Sequence, residues 1–236
     1  MKIVGMIPAR MGSQRIKRKN LRLLNGKPLV EYIFSSSSKA KYFDEIYINS
    51  EDPIFEKIAK PYGIKFYKRE ESLAGEEATN DHFADDFLRN VECDILIQLL
   101  PTSPFITTKD INSFIGYMLE NKLETLTSVE HKQIGCLYKG EPVNFDNNLI
   151  LEKSQNLEPV LVYTGALMGW NRDKYLENMD KNGCAYHGNN TLKDHYEWNG
   201  LSIIDIDNEE DFLLAEKLMR AQEIEVETKP SFYSET

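Results

Sequence analysis

The feature that most constrains the fold is an alternation of short apolar runs with amphipathic stretches, which begins near the start of the chain. The predicted strands are apolar or alternating runs, too short for typical helices, at residues 2–8, 45–49, 64–67 and 94–100. The predicted helices show apolar residues at helical spacing and lie at 28–39, 53–60 and 82–90. This β-α-β-α-β order predicts an α/β fold whose mainly parallel sheet is covered by helices on both faces.

The second half of the chain is less regular. Between residues 136 and 156, glycine, proline and asparagine are interleaved among charges, which predicts a β-rich excursion from the sheet. A regular apolar pattern resumes at 161–170 and at 201–206, and the second of these is predicted to be the last strand. Residues 209–220 are predicted to form a strongly amphipathic helix. We expect one domain over residues 1–222, in which the segment 136–160 mediates homodimerisation or reaches the substrate. The polar residues 223–236 are predicted to form a loose tail.

Charge and cysteine content exclude several classes of function. The formal net charge of −10 disfavours nucleic-acid binding, which requires a surplus of lysine and arginine. Three widely spaced cysteines fit a reducing cytosol and not a disulfide framework. Basic residues interrupt any signal peptide, and no run approaches the roughly 20 apolar residues of a membrane span. The expected location is the cytoplasm, without membrane attachment.

The loop after the first predicted strand is unusually basic for such an acidic chain. Residues 7–20 read IPARMGSQRIKRKN and carry five cations, Arg10, Arg15, Lys17, Arg18 and Lys19. Guanidinium groups and free backbone N–H groups after a strand are what a polyphosphate requires. The segment has neither common nucleotide fingerprint, G-x-x-x-x-G-K-[ST] or G-x-G-x-x-G. From composition alone, a solvated basic loop or a surface that binds an acidic partner is the favoured alternative.

Two aspartates near the carboxyl end suggest a metal site. Asp205 and Asp207 alternate in the run LSIIDID, so on a strand both would project from one face. Paired carboxylates suit Mg²⁺, which also takes waters and substrate phosphates. The alternative is that Asp207 or Asn208 caps the helix that follows.

A rigid turn follows the central predicted strand. Residues 94–105 read DILIQLLPTSPF, so an apolar strand runs into Pro-Thr-Ser-Pro with two hydroxyl groups. Because ligands of parallel α/β sheets bind at the carboxyl ends of strands, this turn and the basic loop are expected to share one site. A purely structural turn remains the alternative.

These motifs together resemble the acylneuraminate cytidylyltransferases, the family of CMP-sialic acid synthetases. The opening IPARMGSQRIKRKNLRLLNGKPL resembles the family pattern P-A-R-x-G-S-K-R-x-x-x-K-N followed by G-K-P-L, the turn matches its P-T-S-P, and IDIDNEED matches its I-D-I-D-x-x-x-D. The matches occur in the family's order from about residue 3 to 216. Gln14, Leu100 and Ile106 replace a lysine, a glutamine and an arginine that are usual in the family.

The resemblance implies a fold of the nucleotide-diphosphosugar transferase type and a set of site residues. The implied nucleotide-binding residues are Ala9, Arg10, Gly12, Ser13, Arg15, Lys19, Asn20, Leu73 and Ala74. The implied substrate-binding residues are Gln98, Thr102, Ser103, Thr164 and Gly165. Asp205 and Asp207 correspond to the family's Mg²⁺ ligands, and Arg10, Lys19 and Asp207 to its catalytic residues, whereas Asp211 is assigned to the helix.

The implied activity is Mg²⁺-dependent transfer of CMP from CTP to the anomeric hydroxyl of an acidic sugar, with release of pyrophosphate. Sialic acid and other nonulosonates are the expected acceptors, and Kdo or a phosphonate is the alternative. Two other classes stay open, a glycosyltransferase of related architecture and a non-catalytic nucleotide-binding module. In such glycosyltransferases the D-x-D usually lies mid-chain, whereas here it lies near the carboxyl end.

Overall fold

The computed structural model describes residues 1–150 and 153–223, and the elements below are those of these ranges. The strands are β1 (Ile3–Pro8), β2 (Leu23–Leu24), β3 (Lys27–Pro28), β4 (Glu45–Ser50), β5 (Lys65–Lys68), β6 (Ile95–Leu99), β7 (Thr125–Lys132), β8 (Leu137–Tyr138), β9 (Glu141–Pro142), β10 (Val160–Asn171) and β11 (Leu192–Glu197). The α-helices are α1 (Leu29–Ser37), α2 (Ile54–Ala59), α3 (Asn80–Asn90), α4 (Thr108–Glu120), α5 (Arg172–Asn182) and α6 (Glu209–Gln222).

Seven strands form the main sheet of the described chain, in the order β11-β7-β10-β6-β1-β4-β5. β6, β1, β4 and β5 run parallel, whereas β10 is antiparallel to both β6 and β7. β11 at the other edge is parallel to β7. The prediction of a mainly parallel sheet is therefore confirmed, and its four amino-terminal strands fall where the apolar runs placed them.

Helices cover both faces of the sheet, as predicted. On one face, α1, α2 and α4 pack against Ile7, Ile97 and other residues of the larger core cluster. On the opposite face, α3 and α5 pack against Met6 and Leu96, which alternate with the first set along β1 and β6. Because strand side chains alternate between faces, continuous apolar runs are the signature of strands buried on both sides.

A third, smaller cluster determines where the site forms. α6 contributes Phe212 and Ala215, the segment before it contributes Ile206, and the basic amino-terminal loop contributes Ile16. Each of these side chains is almost completely buried. This packing holds the segment with the two aspartates against the basic loop, although the two lie far apart in sequence.

The predicted strand at 201–206 is wrong. A 3-10 turn occupies Gly200–Ile203, and Asp205 and Asp207 lie in an irregular segment between this turn and α6. The Ile206 N–H donates to the Thr102 carbonyl at 2.9 Å, but the Ile204 N–H turns back to Leu201, so no ladder forms. The sheet instead ends with β11, a strand that the sequence pattern did not reveal.

The irregular segment after β7 contains a short hairpin. β8 and β9 pair with each other outside the main sheet, and the first four residues of β10 continue the ribbon with β7. The predicted excursion at 136–160 thus contains strands of two residues each, apart from residues 151–152, which lie outside the described ranges. The predicted tail, 223–236, lies outside them too, except for Glu223. Over the described ranges, no helix has the length and apolar character to cross a membrane.

Candidate active site

A cavity of about 480 Å³ lies where the loops after β1 and β6 meet the segment before α6. Its position at the carboxyl ends of parallel strands is where α/β sheets bind ligands. The lining residues are Pro8, Arg10, Ser13, Gln14, Arg15, Ile16, Lys19, Asn20, Arg69, Asn80, Phe83, Leu100, Pro101, Thr102 and Asp207. The three regions in which the sequence predicted chemistry therefore converge on one cavity.

The basic loop reaches one of the two aspartates directly. The Arg15 Nη2 atom lies 2.6 Å from the Asp207 Oδ1 atom, and the Lys19 Nζ atom lies 3.7 Å from the same oxygen. Lys19 also donates to the Ile206 carbonyl at 2.6 Å. Burial lowers the pKa of Lys19, and the nearby carboxylates of Asp207 and Asp205 oppose that shift. The loop therefore places two cations beside the carboxylate pair.

Asp205 is the more buried member of the pair. Burial raises the pKa of Asp205, while hydrogen bonds from Thr102 and Ser103 act in the opposite direction. The Ser103 Oγ atom donates to the Asp205 Oδ1 atom at 3.5 Å. The Pro-Thr-Ser-Pro turn after β6 thus supplies hydroxyl groups to the Asp205 carboxylate, whose negative charge also acts on Lys19 of the basic loop.

The helix after the pair is capped without either aspartate. The Asn208 side chain accepts from the N–H groups of Glu210 and Asp211, at 2.9 and 3.0 Å. Asp211 accepts in return from the N–H groups of Asp207 and Asn208. Asn208 is therefore the N-cap, Asp211 belongs to the helix as predicted, and both aspartates of the D-x-D keep their carboxylates for the site.

The residues after β5 close the other side of the basic loop. The Arg10 Nη1 atom donates to the carbonyls of Gly75 and Ala74, at 3.0 and 3.5 Å. Gln14, which replaces the lysine usual in the family, forms a hydrogen bond with Glu76. The segment that carries Leu73 and Ala74, two of the implied nucleotide-binding residues, therefore contacts the basic loop.

The structure brings some of the expected site residues to the cavity wall and leaves others behind it. The expected residues that line the cavity are Arg10, Ser13, Arg15, Lys19, Asn20, Thr102 and Asp207. The expected residues outside its lining are Ala9, Gly12, Leu73, Ala74, Gln98, Ser103, Thr164, Gly165 and Asp205.

Two of the expected substrate residues lie on an irregular part of β10. Thr164 and Gly165 fall between Tyr163 and Met168, where the register with β7 shifts. The Thr164 Oγ1 atom donates to the Ser128 Oγ atom at 2.8 Å. Gly165 has a φ of 69°, a conformation that favours glycine, so this position turns the chain beside Leu100.

Three lining residues were missed by the sequence analysis: Arg69, Asn80 and Phe83. Arg69 is 2% exposed and donates from Nε to the Asn49 Oδ1 atom at 2.7 Å and from Nη2 to the Asn49 carbonyl at 2.9 Å. Its guanidinium packs on the Phe83 ring, with the Cζ atom 4.3 Å from the ring centroid. Burial lowers the pKa of Arg69 to about 10, which leaves it charged at neutral pH. Its place one residue after β5 was the signal available in the sequence.

The comparison with family models decides the relationship. The model described as cytidylyltransferase matches residues 4–227. The chain belongs to the cytidylyltransferase family. This membership confirms the resemblance drawn from the three motifs, and it fits a basic loop and a carboxylate pair that meet in one cavity.

Individual relatives agree with the family assignment. The N-acylneuraminate cytidylyltransferase of Escherichia coli O18:K1:H7 is 31% identical over 130 residues, which cover 54% of this chain and 31% of that protein. The CMP-N,N'-diacetyllegionaminic acid synthase of Legionella pneumophila is 27% identical over 235 residues, covering 93% and 97% of the two chains. The chain thus spans less than half the length of the N-acylneuraminate relatives but nearly all of the legionaminic acid relative.

A solved structure supports the fold. The structure of a CMP:2-keto-3-deoxy-manno-octonic acid synthetase complexed with CTP superposes with a TM-score of 0.69 at 19% identity. The match covers 95% of this chain and 100% of that one. The expected nucleotide-diphosphosugar transferase type of fold is thereby confirmed.

Proposed function

We propose that the protein transfers CMP from CTP to the anomeric hydroxyl of an acidic sugar and releases pyrophosphate. The observation that carries this proposal is the meeting of a basic loop and a carboxylate pair in one cavity of a cytidylyltransferase-family chain. Phosphoryl-type transfer needs mainly positioning and charge stabilisation, and a cavity with cations at one wall and carboxylates beside it provides both.

The loop after β1 is the proposed site of the triphosphate. Arg10, Ser13 and Lys19 line the cavity with cationic and hydroxyl donors, which suit the β- and γ-phosphates and the departing pyrophosphate. Asn20 also lines it, and its Oδ1 atom is buried without a hydrogen-bond partner in the described part of the chain. An unpaired buried acceptor is costly unless a ligand donor reaches it, so Asn20 supports binding of a hydroxyl-bearing ligand.

Asp205 and Asp207 are the proposed Mg²⁺ ligands. No group of three or more potential metal-binding side chains occurs in residues 1–150 and 153–223, so the pair would be the protein's contribution. This set fits Mg²⁺, which commonly binds one or two carboxylates and completes its shell with waters and phosphate oxygens. When bound, the ion would neutralise charge on the α-phosphate and lower the pKa of the attacking hydroxyl. Thr102 and Ser103 would orient the Asp205 carboxylate for this role.

The proposed acceptor is a nonulosonate. A relative that this chain matches over nearly its whole length is named for N,N'-diacetyllegionaminic acid. Other relatives are named for N-acylneuraminate and for 3-deoxy-manno-octulosonate, so eight-carbon acidic sugars form the second candidate class. Leu100, which replaces a glutamine usual in the family, lines the cavity and supports an acceptor other than sialic acid, whereas Ile106 is buried in the main core cluster and does not line the cavity.

We further propose that the protein is a homodimer. The excursion after β7 exposes large apolar side chains at Leu137, Tyr138 and Val143, with exposed fractions of 63, 68 and 54%. Several large apolar side chains exposed on one short hairpin are typical of an interaction site. A second copy of the chain is the proposed partner because the same ribbon can pair with itself about a two-fold axis.

Pyrophosphate release tests the reaction. The protein is assayed with Mg²⁺ and all combinations of the four ribonucleoside triphosphates with nine-carbon and eight-carbon acidic sugars. Release that requires CTP and one sugar supports the proposal and identifies the acceptor. Thermal stabilisation by CTP without release in any combination would place the error in the acceptor class. Absence of both would contradict the cytidylyltransferase proposal.

A further inference from the structure

Gln98 is a fully buried amide in the middle of the sheet. It lies on β6 between Met6 of β1 and Met168 of β10, in a register where both neighbours are apolar. Its Nε2 atom donates to the Asn80 Oδ1 atom at 3.1 Å. Its Oε1 atom has no hydrogen-bond partner among the described residues.

This arrangement costs stability. A buried polar atom without a partner loses its hydration and gains nothing in return, whereas an apolar residue of similar shape would avoid the loss. Leucine is an apolar residue of comparable size and would suit the surrounding cluster of Val4, Met6, Leu96 and Met168. Packing alone therefore does not explain a glutamine at this position. Its one side-chain hydrogen bond, to Asn80, suggests that its role involves that residue.

That hydrogen bond ends on a residue of the cavity wall. Asn80 is the first residue of α3, and it lines the cavity together with Phe83 of the same helix and Arg69. An asparagine side chain offers a carbonyl on one side and an N–H₂ group on the other. Because Gln98 donates to the carbonyl of Asn80, the N–H₂ group is the side left for a ligand.

The wall around Asn80 differs in chemistry from the basic loop. This part of the wall is formed by Arg69, Asn80 and Phe83, of which only Arg69 is charged. Two nitrogen atoms of Arg69 donate to Asn49, and its guanidinium packs on the Phe83 ring. An aromatic ring and a neutral amide suit a planar, uncharged ligand group that carries hydrogen-bond acceptors. On the proposed function, the nucleobase is the part of CTP with these properties.

We propose that Gln98 is a positioning residue that holds the N–H₂ group of Asn80 toward the cavity, so that Asn80 selects a base whose N3 ring nitrogen is a hydrogen-bond acceptor. Cytosine has a ring nitrogen acceptor at N3, where uracil has an N–H donor. An N–H₂ group fixed toward that edge binds cytosine and repels uracil. Without Gln98, the Asn80 amide is free to turn its carbonyl into the cavity, and the preference for CTP falls.

The test combines nucleotide binding with stability, and it rests on the proposed function only through the nucleotide. Dissociation constants for CTP and UTP are measured by calorimetry for the wild type and for Gln98→Leu, Asn80→Ala and the double variant, together with melting temperatures. We expect Gln98→Leu to melt at or above the wild-type temperature and to weaken CTP binding about tenfold, with little change for UTP. Gln222→Leu, exposed at the end of α6, is the control and should match the wild type.

The double variant isolates the route of the effect. If Gln98 acts through Asn80, Gln98→Leu adds nothing to the loss of CTP affinity in the Asn80→Ala background. Equal losses in both backgrounds would overturn the proposal, as would a lower melting temperature of Gln98→Leu with unchanged CTP and UTP binding. A wild-type protein that binds no nucleotide would overturn the proposed function itself, which separates that failure from a failure of the positioning role.

Discussion

The Arg15 guanidinium lies 2.6 Å from the Asp207 carboxylate, which joins the basic loop to the carboxylate pair. The two side chains are 66 and 46% exposed, and exposed ion pairs contribute about 1 kcal/mol or less. The contact can therefore be exchanged at little cost when stronger partners reach either group. A triphosphate would compete for Arg15, and a divalent cation would compete for Asp207.

This exchange predicts that Arg15 opposes metal binding when no nucleotide is present. Arg15→Gln should tighten binding of Mn²⁺, used in place of Mg²⁺, because Asp207 then has one cation fewer beside it. The same variant should weaken CTP binding by about tenfold or more, since a charge-assisted contact is worth roughly 1.5–3 kcal/mol. Calorimetric titrations with each ligand measure both effects.

Arg18→Gln provides the matched control for this experiment. Arg18 belongs to the same loop and carries the same charge, but it is exposed and is not among the residues that line the cavity. Its replacement should change either affinity much less than that of Arg15. Similar changes in both variants would mean that the loop acts through its total charge and not through the Arg15–Asp207 contact.

Asp207→Asn is predicted to lower turnover by roughly a hundredfold or more, because it removes a charge placed to stabilise the transition state. The fold should be retained, since the backbone N–H of residue 207 still donates to Asp211 and the side chain is partly exposed. Pyrophosphate release and far-UV circular dichroism measure the two properties. Asp173→Asn, on an exposed carboxylate of α5, is the control. Near-normal turnover of the Asp207 variant would remove the metal assignment.

Arg69 is predicted to stabilise the fold as well as the cavity wall. Arg69→Met would leave the Asn49 Oδ1 atom without its donor and would remove one donor from the Asn49 carbonyl, which keeps the Ala9 N–H. A buried group left unpaired costs about 1–3 kcal/mol, and the packing of the guanidinium on Phe83 is lost as well. We expect a loss of a few kcal/mol in the free energy of unfolding, measured with urea. Arg89→Met, which removes exposed ion pairs on α3, should cost less than about 1 kcal/mol. Equal losses of unfolding free energy in the two variants would contradict a stabilising role of the Arg69–Asn49 hydrogen bonds.

Glu45 gives the chain a predictable response to acid. Hydrogen bonds from Lys2 and Lys65 lower the pKa of Glu45 from 4.5 to about 2. The unfolded chain binds this proton more readily, so the contribution to stability is complete above pH 4.5 and is lost as the pH falls toward 2. The difference in unfolding free energy between the wild type and Glu45→Gln should therefore shrink over that window. A constant difference would contradict the assignment of the shift to this carboxyl.

The elements whose signal is local could be predicted from the sequence. The elements that depend on tertiary contacts could not. β1 and β6 were placed within a residue or two because buried parallel strands read as continuous apolar runs. The alternating residues near 201–206 have the pattern of a strand, but they do not form one. The alternation arises because Ile206 is buried between two aspartates that are not. No local pattern distinguishes the two cases.

The candidate site divides in the same way. The basic loop and the D-x-D could be found because each concentrates charge in a short segment, and the core cluster that contains both Ile16 and Ile206 then brings them together. Arg69 and Asn80 are single polar residues in ordinary contexts. Their role depends on Asn49 and Gln98, which are distant in sequence, so only the folded chain reveals it.

The proposed dimer predicts that charge on the β8–β9 hairpin separates the subunits. Leu137→Glu combined with Val143→Glu places two carboxylates on the exposed apolar surface, where a second copy would have to desolvate them. Light scattering after gel filtration should give twice the 27.3 kDa chain mass for the wild type and the single mass for the variant. Leu213→Glu on α6, which is 49% exposed and lies on a different element, should remain dimeric. A wild type that elutes at the single mass would contradict the dimer, and loss of dimer in the Leu213 variant would move the interface to α6.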